Sequence, residues 1–519
     1  MTRPSGLDLK LTAGRAAAAL VTLAPLVYFF AAVRGRLFIS PDDGVIFNVP
    51  LRVAAARIVR AGYLPLWNPY IFSGMPLHGS AQGGLLFPLN WFYLIFAPPA
   101  ATNLMMLSSY ALAALGAYLY ARRAGACVAG AVVTSVSWQW GAFLVNQIGH
   151  TNVVQTAAVL PWVLWAVDGY GMTGGRRRGV LLSAVVALQV FAGHQQTLAY
   201  SLLLASAYAA ASALAARETR AAYLRALAFV FAGLPLAAVQ ILPTFELLRN
   251  SPRAEASYDF FTSYSMPRRF LLTLVAPYLH GGGDGHLFRA PYTGPPFYAE
   301  YVPYVGLAAL ALAGAAVLVR PDARTLFWAA AAATCLSLAL GRFFPFGLYR
   351  LVYHVPFLNL FRVPARHLMG AEFALAALAG RGVTVIAGAR GDAGALRRVR
   401  LVALGTLLLA CLAVTWGRPA EFRLGRQAPV SFLRAPELFV PVLFAALSAW
   451  AVWNFARARS NQAFAFLALL AVLMLDLGLW GQTSGWRTHS PQADSELWGG
   501  PPPREYLRAR APPDAPPPA

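Results

Sequence analysis

The chain is built of long apolar runs separated by short turns that carry arginine, and few folds are open to such a sequence. A membrane-crossing helix needs about 20 predominantly apolar residues, and about thirteen stretches meet or approach that length. They lie at residues 14–33, 101–121, 125–145, 152–169, 179–193, 197–216, 224–246, 302–319, 325–340, 368–388, 401–417, 436–455 and 463–480. In hydrocarbon every backbone polar group must be satisfied internally, which restricts spanning segments to helices or closed barrels. Runs of this length select helices. Composition agrees: of 519 residues 58% are hydrophobic and 12% charged, against about 45–50% and about 25% in soluble domains. A soluble enzyme, a disordered chain, a collagen and a disulfide scaffold are excluded. The expected fold is an all-α polytopic membrane protein with large outer loops.

The net charge of +22 raises the question of nucleic acid. A nucleic-acid binder gathers its basic residues on one face or tail. Here they fall in small clusters between apolar runs, so no nucleic-acid partner is expected. Short basic connections orient a membrane protein with their side toward the cytoplasm. Arg3, Lys10 and Arg15, then Arg122–Arg123, Arg176–Arg178, Arg217–Arg225, Arg320–Arg324, Arg390–Arg400, and Arg457 with Arg459 form such a set on alternate sides of consecutive spans. The N-terminus is therefore expected inside and the C-terminus outside, with residues 14–33 as a signal anchor rather than a cleaved peptide. The long loops 34–100, 247–301, 341–367 and 418–435 then face outward, and all eight histidines lie in them or at outer helix ends. Loops carry function, so chemistry is expected on that face. Cys127, Cys335 and Cys411 lie in apolar runs without paired spacing, which suggests neither disulfide nor zinc site.

The first outer loop is the most informative segment. Asp42 and Asp43 follow the first span. Residues 50–61 read as a short interfacial helix opened by Pro50, with Arg52, Arg57 and Arg60 toward lipid headgroups and Leu51, Ala54, Ile58 and Val59 toward acyl chains. Residues 65–96 are too rich in Pro, Gly and aromatic residues for a regular helix. The two aspartates have a plain reading as turn and helix cap. They have a sharper one, in which one carboxylate acts as general base toward an acceptor hydroxyl. Spacing alone leaves both open.

The run Asp43 … Pro50 … Gly62-Tyr63-Leu64-Pro65-Leu66-Trp67-Asn68-Pro69-Tyr70 … Gly74-Met75-Pro76-Leu77 … Gln82 … Pro88-Leu89-Asn90 resembles the signature of the bacterial YfhO-type membrane proteins, which are similar to the GT-C superfamily of polytopic glycosyltransferases. The likeness continues through Gly149-His150, Gly193-His194-Gln195-Gln196, Glu300-Tyr301 and Phe361-Arg362-Val363-Pro364-Ala365-Arg366. It implies a GT-C-like bundle over residues 1–480, in a bacterial cytoplasmic (inner) membrane. It also implies an outer-leaflet transfer of sugar from a polyprenyl-phosphate-linked donor to a cell-envelope glycan or polymer acceptor. The family pattern carries the essential acid onto Asp43, with Asp42 second. Trp67, Asn68 and Gln82 are carried over as cavity residues.

Other residues extend the candidate site. Arg362 and Arg366 offer guanidinium forks suited to the donor phosphate, with headgroup contact or a helix-start ion pair as the plain reading. Glu300, where a loop re-enters the membrane, has either a structural arginine partner or a role in the cavity. His150 and His194 end helices and read as packing or capping residues or as sugar and phosphate contacts. No metal-ligand motif occurs and no cofactor is expected, although a divalent cation stays open. Glu372 and Asp476 lie inside spans, where a carboxylate is a functional candidate. They keep a transporter or flippase of lipid-linked glycans as the alternative, with a non-catalytic envelope assembly factor behind it. The proline-rich residues 481–519 read as an extended tail, the opening of an outer domain cut short.

Overall fold

The computed structural model describes residues 6–35, 43–251, 256–281, 292, 294–416 and 435–483. Asp42 and the 484–519 tail lie outside the described residues. The chain has an all-α polytopic membrane fold. Among the described residues its only sheet is a two-residue hairpin, Trp67–Asn68 paired antiparallel with Met75–Pro76.

Each expected span contains helix, but the helices are not uniform. Among the described residues seven are long and apolar enough to cross a membrane, from Pro98–Arg123 to Gln462–Thr483. An eighth crossing is added if Arg220–Leu236 and Ala238–Arg249, bent by 71°, form one broken span. The helices Thr12–Tyr28, Leu307–Val319 and Ala323–Ala339 are apolar but shorter. The count of about thirteen crossings stays an expectation.

The centre of the bundle is formed by Val128–Gln139, Thr151–Thr173 and Leu368–Gly388, whose side chains are buried almost all round. Helices apolar on every face belong in such a core. Small residues let their backbones meet. A methyl group at Gly130 would collide with the Gly380 carbonyl, one at Gly380 would strike Thr134, and one at Gly382 would meet Leu312. In a membrane, close packing of this kind replaces the hydrophobic drive between helices.

The two ends of the bundle differ. At the arginine-rich end, buried Asp168 accepts hydrogen bonds from Arg324 Nη2 (2.8 Å), Tyr208 (3.1 Å) and Tyr223. Arg324 also donates to the Ala124 carbonyl (3.1 Å), and Arg381 pairs with Asp322. These bonds bind the ends of several helices together on the side where the turns are short.

Glu372 and Asp476, the two carboxylates that kept the transporter reading open, both serve helix starts. Glu372 Oε2 accepts the Phe143 N–H at 2.8 Å, at the break where Gly141 separates Val128–Gln139 from Ala142–Asn146. Asp476 accepts from the Leu307 N–H (2.9 Å) and from Tyr304 Oη (2.6 Å), at the start of Leu307–Val319. The first N–H groups of a helix have no partner within it, and in lipid that need is acute. The observed bonds give each carboxylate a structural task.

The loop-rich end opens with a π-helical turn over Gly44–Asn48 that runs into the helix Val49–Arg60, with proline in its first turn as expected. One expectation about this helix is corrected. Arg52 does not face headgroups: it is 2% exposed and donates to Thr151 Oγ1 (2.6 Å) and Gln155 Oε1 (3.2 Å). Gln155 in turn donates to Asn90 at 2.7 Å. Arg57, Arg60 and Val59 are exposed, whereas Leu51 and Ala54, also expected toward acyl chains, are buried inside the protein. The helix is thus pinned to the bundle through a buried guanidinium. Replacing Arg52 by Met keeps the stem and removes both bonds, and hydrogen bonds to a charged group are worth about 1.5–3 kcal/mol each. Limited proteolysis should then cleave residues 49–60 faster, and cleavage at the wild-type rate would contradict the pinning role.

Candidate active site

Asp43 stands immediately before the Gly44–Asn48 turn, yet its side chain makes no capping hydrogen bond. The plain reading of this aspartate as a cap is therefore not what the fold uses. Its carboxylate instead faces His150, with Oδ2 3.5 Å from Nε2, and it remains 68% exposed. His150 sits where the short turn Gln147–Gly149 meets the helix Thr151–Thr173. Its buried Nδ1 has no protein partner.

The Asp43 carboxyl is held below its ordinary pKa. Contact with His150 is the main cause, with added attraction from His150, Arg366 and Arg362 against the opposing effect of partial burial. Both arginines therefore act on this carboxylate, which the sequence places more than 300 positions away.

The two arginines are held differently. Arg366 gives Nε (3.2 Å) and Nη2 (2.9 Å) to Glu300 Oε1, and Nη1 to His194 Nε2 (3.2 Å) and Gln196 Oε1 (3.3 Å). Glu300 receives Gln147 Nε2 on its other oxygen at 3.0 Å. The pair is buried, with side-chain exposures of 13% and 6%. His194 Nδ1 caps the following helix by accepting the Thr197 N–H at 3.2 Å, and it lies 2.7 Å from Thr197 Oγ1. The hydrogen-bonding capacity of Arg366 is thus largely committed within the protein.

Arg362, four residues earlier, is exposed and lies over the rings of Phe260 (5.7 Å) and Tyr264 (5.6 Å). Its guanidinium is the less committed of the two. Gln196 links the pair, because its Nε2 donates to the Arg362 and Val363 carbonyls.

The backbone around these residues is strained. Val363, Phe297 and Tyr264 take positive φ angles of 65°, 70° and 58°, a region costly for bulky and β-branched residues. Val363 is held there by its N–H on the Ser263 carbonyl (3.1 Å) and by Gln196. Tyr264 and Phe297 meet edge to face at 5.1 Å. Strain persists only where surrounding contacts enforce it, and here it presents Arg362 and fixes Arg366.

Asp43, His150, His194, Glu300, Arg362 and Arg366 therefore belong to one end of the bundle. The other expected cavity residues form the supporting loop. Asn68 is buried and accepts the Tyr70 N–H (3.0 Å), as a turn residue does. The Trp67 ring covers Gly74, where a Cβ would lie 2.6 Å from it. Gln82 is half-buried beside Ala81, whose carbonyl presses on Gly193 so closely that any side chain there would collide. That contact seats the first loop on the break before His194. The sequence assigns no role to Gln147, Gln196 or Thr197, although Gln196 stands in the quoted run Gly193-His194-Gln195-Gln196.

Among the described residues no cluster of three or more histidine, cysteine or carboxylate side chains could hold a metal ion. A half-open groove of about 410 Å³ lies away from these residues, between the first helix and Gln462–Thr483.

Fold and site together define a polytopic membrane protein with an ionised carboxylate and two guanidinium groups at its loop-rich end. No protein-family model and no curated protein matches the sequence. Among solved structures the chain is similar to the arabinofuranosyltransferase AftD from Mycobacteria, at 16% identity and a TM-score of 0.43. The match covers 85% of this chain and 27% of that one. It is also similar to ArnT from Cupriavidus metallidurans in the apo state, at 16% identity and a TM-score of 0.41, covering 90% of this chain and 76% of that one. The undecaprenyl-phosphate-bound form of ArnT gives 15% identity and a TM-score of 0.39, covering 90% and 77%.

Proposed function

We propose that this chain is a membrane glycosyltransferase of GT-C type, moving a sugar from a polyprenyl-phosphate-linked donor to a cell-envelope acceptor at the loop-rich end. The observation that carries the reading is the exposed Asp43 carboxylate set in the field of Arg362 and Arg366. In the reaction an acceptor hydroxyl oxygen attacks the anomeric carbon and the bond from that carbon to phosphate oxygen breaks. The hydroxyl proton passes to Asp43, and polyprenyl phosphate leaves as an anion toward Arg362. Arg366, fixed by Glu300, supplies positive field without having to move, the preorganised kind of stabilisation that serves a leaving anion well.

Donor binding also tunes the base. A phosphate on Arg362 cancels part of the positive field that depresses the Asp43 pKa, so the carboxylate regains basicity when the donor is in place. The capping bonds of Glu372 and Asp476 weigh against the transporter alternative, which had rested on those two groups.

The experiment is transfer from a glycosyl polyprenyl phosphate by the full chain in vesicles. Arg362→Ala should raise the donor KM about tenfold or more, as loss of a charge-assisted phosphate contact does. An unchanged KM would remove Arg362 from the donor site.

A further inference from the structure

The bent pair Arg220–Leu236 and Ala238–Arg249 has no place in the reaction above. Its first helix starts at the arginine-rich end, where Tyr223 donates to Asp168. It ends at the loop-rich end, where Ala237 is fully buried against Ala187 and Val190, just before the Gly193 break. Its 17 residues rise about 25 Å, most of a hydrocarbon core of about 30 Å. The chain then turns by 71°. Exposed apolar side chains continue across the bend. Leu224, Phe231 and Leu236 are 50%, 53% and 56% exposed on the first helix, and Val239, Leu242 and Phe245 are 59%, 66% and 46% exposed on the second. The other side of the second helix holds the first loop. His78 Nε2 lies 2.8 Å from the Val239 carbonyl oxygen, Gln240 Nε2 donates to the His78 carbonyl at 2.8 Å, and a Cβ at Gly79 would lie 3.2 Å from the Pro243 carbonyl oxygen. Toward its end the helix carries Glu246 and Arg249, both exposed, whose side chains have no ion pair or hydrogen bond among the described residues.

We infer that Ala238–Arg249 does not continue the crossing but lies in the membrane plane. Val239, Leu242 and Phe245 enter the acyl boundary of the phospholipid leaflet at the loop-rich end, and Glu246 and Arg249 reach its headgroups. A phospholipid surface fits this face for two reasons. The face continues the lipid-facing stripe of the helix before it, and it ends in charged groups, as an interfacial amphipathic helix does. A helix running on through hydrocarbon would instead carry two unpaired charges into it, which is costly. The leaflet thus supports residues 76–80 of the first loop through this helix. The inference is independent of the glycosyltransferase reading.

The test places a fluorescent amino acid at Val239, Leu242 or Phe245 in turn, in the full chain in vesicles of phosphatidylglycerol and phosphatidylethanolamine. A fourth probe at Leu404, near the middle of Ala393–Trp416, marks hydrocarbon depth. All four side chains are exposed, so the probes enter without displacing the core. Depth is read from quenching by phospholipids brominated at successive acyl carbons, and by aqueous iodide. Positions 239 and 245 lie about 9 Å apart along the helix, so a helix turned by 71° from an upright one should hold the three probes within about 3 Å of one depth. That depth should be about 5–10 Å into the headgroup–acyl boundary, shallower than the probe at 404. A depth growing by about 9 Å from 239 to 245 would mean a continued crossing and overturn the inference. Quenching of the three by iodide but not by brominated lipid would place the face in water and overturn it equally.

Discussion

Asp43→Asn should lower sugar transfer by about 10²–10⁴-fold, the range a positioned general base contributes, while the protein remains folded and inserted. The amide is isosteric and Asp43 is largely exposed, so its removal costs the fold little. It cannot take the acceptor proton. The pH dependence should carry the same signature. With its pKa depressed in the free protein, Asp43 stays ionised down to pH values below about 3.9, the ordinary aspartate range. The acid limb of kcat/KM, which reports the free enzyme, should therefore lie lower than the acid limb of kcat, which reports the donor-bound state. In Arg362→Ala the kcat/KM limb should shift upward, because one source of the depression is gone. As for stability, a depressed folded pKa contributes above the unfolded value and loses its contribution as pH falls through the folded one. For a carboxylate this exposed, solvent screening makes the contribution small.

The second large effect concerns Glu300. Glu300→Ala strands the Arg366 guanidinium in a site where it is 13% exposed, and breaking a buried ion pair from one side costs about 3–5 kcal/mol. Thermal unfolding in detergent micelles should show that loss. The double replacement Glu300→Leu with Arg366→Met should recover much of it, since an apolar pair of similar volume replaces a buried ion pair at little cost. It should not restore transfer, because the positive field on Asp43 is reduced. A Glu300→Ala protein within about 1 kcal/mol of wild type would fall in the range of an exposed surface pair, and Arg366 would then need another anchor.

Much of this was legible in the chain. Apolar run length located the helices, and Pro50 marked a helix start because its missing N–H is harmless there. Gly193 marked a break, and its positive φ of 89° together with the closeness of Ala81 explains why glycine stands there. The association of Asp43 with the Arg362 segment came from resemblance rather than from spacing. What the sequence could not reveal is which charges are already satisfied. Arg52 reads as a headgroup ligand on a helical wheel, but its partners Thr151 and Gln155 lie about a hundred positions away. Arg362 and Arg366 look alike four residues apart. They part only when Glu300, His194 and Gln196 converge on one of them. Glu372 and Asp476 look like proton carriers until the helix starts they cap are in view.

The central claim is that the Asp43 end of the bundle transfers sugar to the cell envelope. Its most direct test is the glycan composition of envelopes from cells lacking this chain, then supplied with wild type or Asp43→Asn at equal membrane levels. One sugar should be lost with the chain, return with wild type and stay absent with Asp43→Asn. Full return of that sugar with the asparagine variant would contradict it.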